Sequence, residues 1–311
     1  NAGLTTGDED DTRYVGALSA AADTSAGVAG VVAGNVDLLM DGALNITSDG
    51  DIVLLGGVSA TDVGADISIQ SRSQIYIDAL VSAQETLTLR AGIDNSRVGV
   101  WVTEVLLDDN GDYESGGTLD TDSGGVIDIE SVDGVTIKGV LGQREITDGD
   151  LGGAKVGDIS IVSLSGDVNL MRNTNVRDAL NVSGDSVGIL SGSYVYATGR
   201  ESELYLEARD GLVLSGRAVA AGLDAAIAKA SRLVHLVAPT MSINGTIDIT
   251  SLTGRALLSG GDAIAIGGTI VSRGNIDVHA GVDMAWTRPQ MEANLTRADL
   301  DGGTITIAGQ G

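Results

Sequence analysis

The chain has 311 residues, 43% of them apolar, and a formal net charge of −25, so it can bury a core and global disorder is excluded. That acidity argues against nucleic acid, whose phosphates need a basic footprint, and against anionic lipid surfaces. Cysteine is absent, which excludes disulfides and thiolate chemistry.

The apolar content is unusual in kind. Phe is absent and aromatics make up 3%, so Val, Ile, Leu and Ala carry the core. Gly occurs 45 times and Pro only twice, a pattern of many tight turns between strands that keep their N–H donors.

The first 34 residues lack clear repeats and are expected to be a cap or linker. The chain opens on Asn1-Ala2-Gly3 with no initiator Met, which reads as a mature or excised segment. The run from Tyr14 to Gly34 has the apolar look of a signal core. It carries Asp23 and no basic leader, and nothing approaches the about 20 apolar residues of a membrane helix, so no membrane insertion is expected. The Asp8-Glu9-Asp10-Asp11 run reads as a solvated acidic cluster.

From residue 35 a two-part cadence sets in. Leu44-Asn45-Ile46, Ile52-Val53-Leu54 and Val58-Ser59-Ala60 superpose without a gap on Ile67-Ser68-Ile69, Ile75-Tyr76-Ile77 and Val81-Ser82-Ala83, at an offset of 23 residues. Apolar-x-apolar triplets put Ile, Leu and Val on one face of a short strand and Asp, Ser, Asn or Thr on the other. The cadence recurs in Ile127-Asp128-Ile129 with Val135-Thr136-Ile137 and in Leu204-Tyr205-Leu206 with Leu212-Val213-Leu214. Looser copies run through Ile159-Ser160-Ile161, Leu180-Asn181-Val182, Met241-Ser242-Ile243, Ile264-Ala265-Ile266 and Ile276-Asp277-Val278 to Ile305-Thr306-Ile307. Unequal intervals recurring at a fixed spacing are the mark of stacked repeats. The predicted fold is all-β: a single-stranded right-handed parallel β-helix of roughly a dozen rungs over 35–311. An antiparallel sandwich is the alternative.

Two stretches, 93–125 and 141–157, break the cadence and read as loops inserted at a rung corner. The first holds Asp108, Asn110, Asp112 and Glu114, which alternate side-chain oxygens as calcium loops do. Gly111 stands before the third of them and Tyr113 after it, unlike the EF-hand order, so the site is open between calcium and a merely solvated acidic loop. No other cofactor is expected. From Ala221 to Leu233, the spacing of Leu223, Ile227 and Ala230 suggests a short helix or an Ala-lined turn.

His235 and His279 fall in separate repeats, without the spacing of a zinc site, and read as packing or surface residues. No phosphate-binding or nucleophile-elbow motif occurs in its required setting. The sequons at Asn45, Asn181, Asn244 and Asn294 follow from the strand rhythm itself.

In GALNITSDGDIVLLGG (42–57) and GDISIVSLSGDVNLMRN (157–173), the chain resembles the haemagglutinin-type repeats of bacterial filamentous adhesins and autotransporter passenger domains. The resemblance covers about two thirds of the chain, mainly 35–90 and 125–307. It implies an extended, secreted right-handed β-helix at the cell surface and lends no catalytic residues. The function expected is that of an extracellular structural or adhesive segment of a larger fibre, not an enzyme. Its partners would be copies of itself or neighbouring repeats, with surface glycans or cell receptors. The alternative is a β-helical polysaccharide lyase or hydrolase, or a glycan-binding module, drawing on outward carboxylates such as Asp128, Asp248 and Asp277.

Overall fold

The computed structural model describes residues 2–6, 14–15, 18–19, 28–32, 36–38, 43–60, 62–92, 99–103, 106–107, 113–122, 124–142, 156–215, 227–230, 232–249, 251–294 and 304–307. These form an all-β structure of mostly parallel strands, with one helix of 7 residues, Arg288–Asn294.

The strands fall into three parallel ladders, each repeat adding one strand to each. The first ladder begins Ala43–Ser48, Asp66–Ser71, Thr86–Ala91, Val126–Ser131 and Asp158–Ser163. The second runs from Val28–Val32 through Asp51–Leu54, Ile75–Ile77, Val100–Val102 and Val135–Ile137 to Val168–Leu170. The third runs from Val36–Leu38 through Val58–Ala60, Leu80–Ala83 and Thr118–Thr121 to Thr246–Ile249 and Thr269–Ser272. From residue 179 the first two ladders are carried by single bent strands: Ala179–Ile189, Glu203–Leu214, Leu233–Ile243 and Arg255–Ile266. Each bend is a register shift. Pro239, which has no N–H to give a ladder, sits in the shift between Ala238 and Thr240.

Register follows the cadence of the sequence. Leu44 pairs with Ile67, Ile52 with Ile75 and Val58 with Val81, so the offset of 23 holds in all three ladders. A shift of one residue would turn every apolar side chain outward, so burial fixes this pairing. Inward residues therefore stack on their counterparts. Leu44, Ile67, Leu87, Ile127, Ile159, Leu180, Leu204, Val234 and Ala256 form one such column, all buried. Branched aliphatic side chains fill such columns at a layer spacing of about 4.8 Å, which is how a core forms here without Phe.

Small residues occupy the bend after each strand of the first ladder. Ser48, Ser71, Ser131 and Ser163 are buried there. Ser71 Oγ donates to the Gly50 carbonyl at 2.8 Å and accepts from the Ser73 N–H, while Ser163 Oγ accepts from the Gly166 N–H at 3.0 Å. Turn backbone that no ladder pairs is thus satisfied by serine. At Gly142, φ is +80° and a Cβ would lie 2.1 Å from the Asn175 carbonyl oxygen, so only glycine fits.

Within 93–125 the chain returns twice to the stack, through Val100–Val102 and Thr118–Thr121. The helical reading of 221–233 is corrected at 227–230: Ile227–Ala230 is a strand of the third ladder, between Tyr194–Ala197 and Thr246–Ile249. Ala228 and Ala230 also fit a short strand, whose inward positions here accept small side chains. Near the N-terminus, Ala2–Thr6 pairs antiparallel with Ala43–Ser48, and Tyr14–Val15 with Val36–Leu38.

Candidate functional site

The outward face of the first ladder changes character along its length. One outward column reads Asn45, Ser68, Thr88, Asp128, Ser160, Asn181, Tyr205, His235, Leu257 and Asp277. Its first six members are small and polar, then Tyr, His and Leu follow. The helix Arg288–Asn294 lies over this later part. Gln290 caps its start, Oε1 accepting from both the Thr287 N–H at 2.8 Å and the Thr287 hydroxyl at 2.9 Å, with Pro289 in the first turn. Met291 is buried against a cluster containing Tyr205, Val237 and Val282.

Polar contacts fasten the helix down. Arg288 pairs with Glu203 and with Glu292 (2.6 Å), donates to Asn181 Oδ1 at 3.3 Å, and lies 4.5 Å from the centre of the Tyr205 ring. Arg255 pairs with Asp277 and donates to the Glu292 carbonyl at 2.8 Å. Beneath the helix, His235 is 0% exposed, with Nδ1 3.4 Å from Glu292 Oε1 and Nε2 3.2 Å from Ser259 Oγ. Burial opposes ionisation of Glu292, but its bond and charge pairing with Arg288, and then His235, hold its carboxyl below the usual range. An ionised carboxylate only accepts, so this network assigns the proton to Nδ1 and leaves Nε2 to accept from Ser259. Burial pushes His235 down to about 4, outweighing the Glu292 contact that favours the cation. Burial likewise raises the Tyr205 phenol, helped by Glu207, to which its hydroxyl donates at 3.0 Å.

Ser259, His235 and Glu292 stand in the order of nucleophile, base and orienting carboxylate. The chemistry is nonetheless closed in this arrangement. Ser259 and His235 are both 0% exposed, and the helix that supplies Glu292 packs over the outward column to which His235 belongs. Lifting the helix to admit a substrate removes the carboxylate. The cluster is a clamp.

A second site lies on the outward face of the second ladder. A groove of about 420 Å³ is lined by Trp101 together with Gln74, Asp133, Thr136, Asp167 and Asn169, drawn from four successive repeats. Lys138 Nζ lies 4.7 Å over the Trp101 ring and braces the indole from that side. Gly99 and Gly134 form part of the wall, and a Cβ on Gly99 would lie 2.0 Å from the Gly134 carbonyl oxygen. Asp167 Oδ1 accepts from the Ser186 N–H at 3.1 Å.

Of the calcium candidates, Asp108, Asn110 and Asp112 lie outside the described residues, as does the side chain of Glu114. The strands on either side, Leu106–Leu107 and Tyr113–Ser115, pair antiparallel and bring the ends of that loop together. Among the described residues no group of three or more His, Asp or Glu is placed to hold a metal, and no helix is long and apolar enough to cross a membrane. Asp128, Asp248 and Asp277 are not brought together. Asp128 faces Arg90 at 3.5 Å, Asp277 pairs with Arg255, and Asp248 belongs to the third ladder. His279 is partly buried, and that burial lowers its pKa against the opposing charge of Asp277.

The sequence reading missed both the clamp and the groove. The clamp had a signal in Thr287-Arg288-Pro289-Gln290, a helix-start pattern. No protein-family model, curated protein or solved structure matches this chain.

Proposed function

We propose that the chain is a single-stranded right-handed parallel β-helix acting as an extracellular structural or adhesive rod, a segment or subunit of a larger surface fibre. The observation that carries this reading is the constancy of the columns. Each described repeat stacks apolar side chains on apolar side chains inside, while the outward positions vary, so what additional repeats add is length. Right-handedness follows from the strong preference of parallel crossover connections for that hand. Ten strands of the first ladder give a rod of about 45–50 Å.

The last described repeat supports stacking on a further copy or on neighbouring repeats of a longer chain. Ile276 continues an inner column that is buried throughout its earlier members, yet it is 47% exposed. Strands with unpaired edges and exposed apolar side chains are templates for pairing. The likeness of residues 42–57 and 157–173 to filamentous adhesin repeats favours the same class, and calcium at Asp108, Asn110, Asp112 and Glu114 would brace the loop closed by Leu106–Leu107 and Tyr113–Ser115.

Negative-stain microscopy over a concentration series tests the assembly. Rods joined end to end are expected, and Ile276→Lys should leave single short rods. Unmodified protein that stays as single short rods at every concentration contradicts it.

A further inference from the structure

We infer that the Trp101 groove binds a linear, uncharged oligosaccharide lying along the axis of the stack. The groove combines what a sugar needs: an indole for the apolar face of a pyranose and polar side chains for its hydroxyls. Among the described residues, the side chains of Gln74, Asp133, Thr136 and Asn169 make no hydrogen bond, so four donors and acceptors converge on the groove uncommitted. The lining comes from four successive repeats, a length of about 14 Å at the layer spacing of a parallel sheet. Pyranose units joined by equatorial linkages repeat at a closely similar interval, so consecutive sugars meet consecutive strands in equivalent positions.

Charge sets the class of sugar. Asp133 and Asp167 line the groove and outnumber the single ammonium of Lys138 beside Trp101, and the whole chain carries −25. Uronate or sulfated glycans are repelled, whereas the hydroxyls of a neutral sugar donate well to carboxylates. Gly99 and Gly134 let the turns of successive repeats along the groove pack backbone to backbone, since a Cβ on either would meet the carbonyl of the next repeat. This inference deepens the adhesive part of the proposed function and rests on the folded stack, not on end-to-end assembly, so microscopy and sugar titration can fail separately.

Calorimetric titration of the intact chain with cellohexaose, mannohexaose, chitohexaose and, as the anionic probe, hexagalacturonate tests it, with tryptophan fluorescence as a second readout. Saturable binding of at least one neutral hexasaccharide is expected, at least tenfold weaker in Trp101→Ala. The double variant Gln74→Ala/Asn169→Ala, which leaves the aromatic in place, should weaken it as well and serves if Trp101→Ala does not fold. Binding to none of the neutral probes, binding only to hexagalacturonate, or unchanged affinity in a variant that melts like the parent would each overturn it.

Discussion

His235 concentrates the consequences of burial in one side chain. It is covered by a helix, bonded at both ring nitrogens, and held neutral with a pKa of about 4. Its unfolded value is near 6.5. Because the folded value is the lower one, the unfolded chain binds the extra proton first as pH falls. The stability contributed by the neutral ring is therefore complete above about pH 6.5 and is lost progressively towards pH 4, on the order of 3 kcal/mol in total. An NMR titration of the His235 ring should show a midpoint near 4; a midpoint between 6 and 7 contradicts the clamp. Nothing in the local sequence decides this, since a His in the outward position of a strand reads equally as a packing or a surface residue. What reverses its environment is a segment about fifty residues further along the chain, a distance over which strand periodicity carries no information. The buried serines at the bends were more legible, because Ser recurs after the same strand position in residues 48, 71, 131 and 163.

At the scale of elements, the short strands were readable because one face of each is buried and the period of two then has no freedom. Ile227–Ala230 was not, because an Ala-rich run with one Ile and one Lys matches strand and helix alike, and its place in the third ladder is set by its neighbours Tyr194–Ala197 and Thr246–Ile249. The helix Arg288–Asn294 is shorter than an isolated helix can be in water. Its stability comes from docking, through Met291 on the cluster of Tyr205, Val237 and Val282 and through Arg288 on Glu203. Met291→Ala removes a buried anchor worth about 2–5 kcal/mol. Undocking of the helix is the expected result: the His235 midpoint should rise towards 6.5 while the far-ultraviolet signal of the strands is retained. Loss of the whole strand signal in the same step would mean that helix and stack are one cooperative unit. A cap at Thr287 and Gln290 was written in the sequence, but its landing place was not.

For the molecule as a whole, sequence distance and spatial distance are decoupled. Thr88 and Asp128 are neighbours in one outward column although forty residues separate them, and Ser68 and Thr88 are neighbours at half that separation. Insertions between strands change the loops and leave the register intact, which is why two strands could be found inside 93–125. The outward column of the second ladder, Val53, Tyr76, Trp101, Thr136, Asn169, Gly188, Val213, Ser242 and Ala265, offers a ruler along the molecule. The chain has no native cysteine, so spin labels can be placed at will. Pulsed electron–electron resonance between labels at positions 53 and 242, and again at 53 and 265, measures the stack directly. In-register stacking predicts about 34 Å and about 38 Å, one layer apart; separations that do not lengthen with position along the column would contradict a parallel stack.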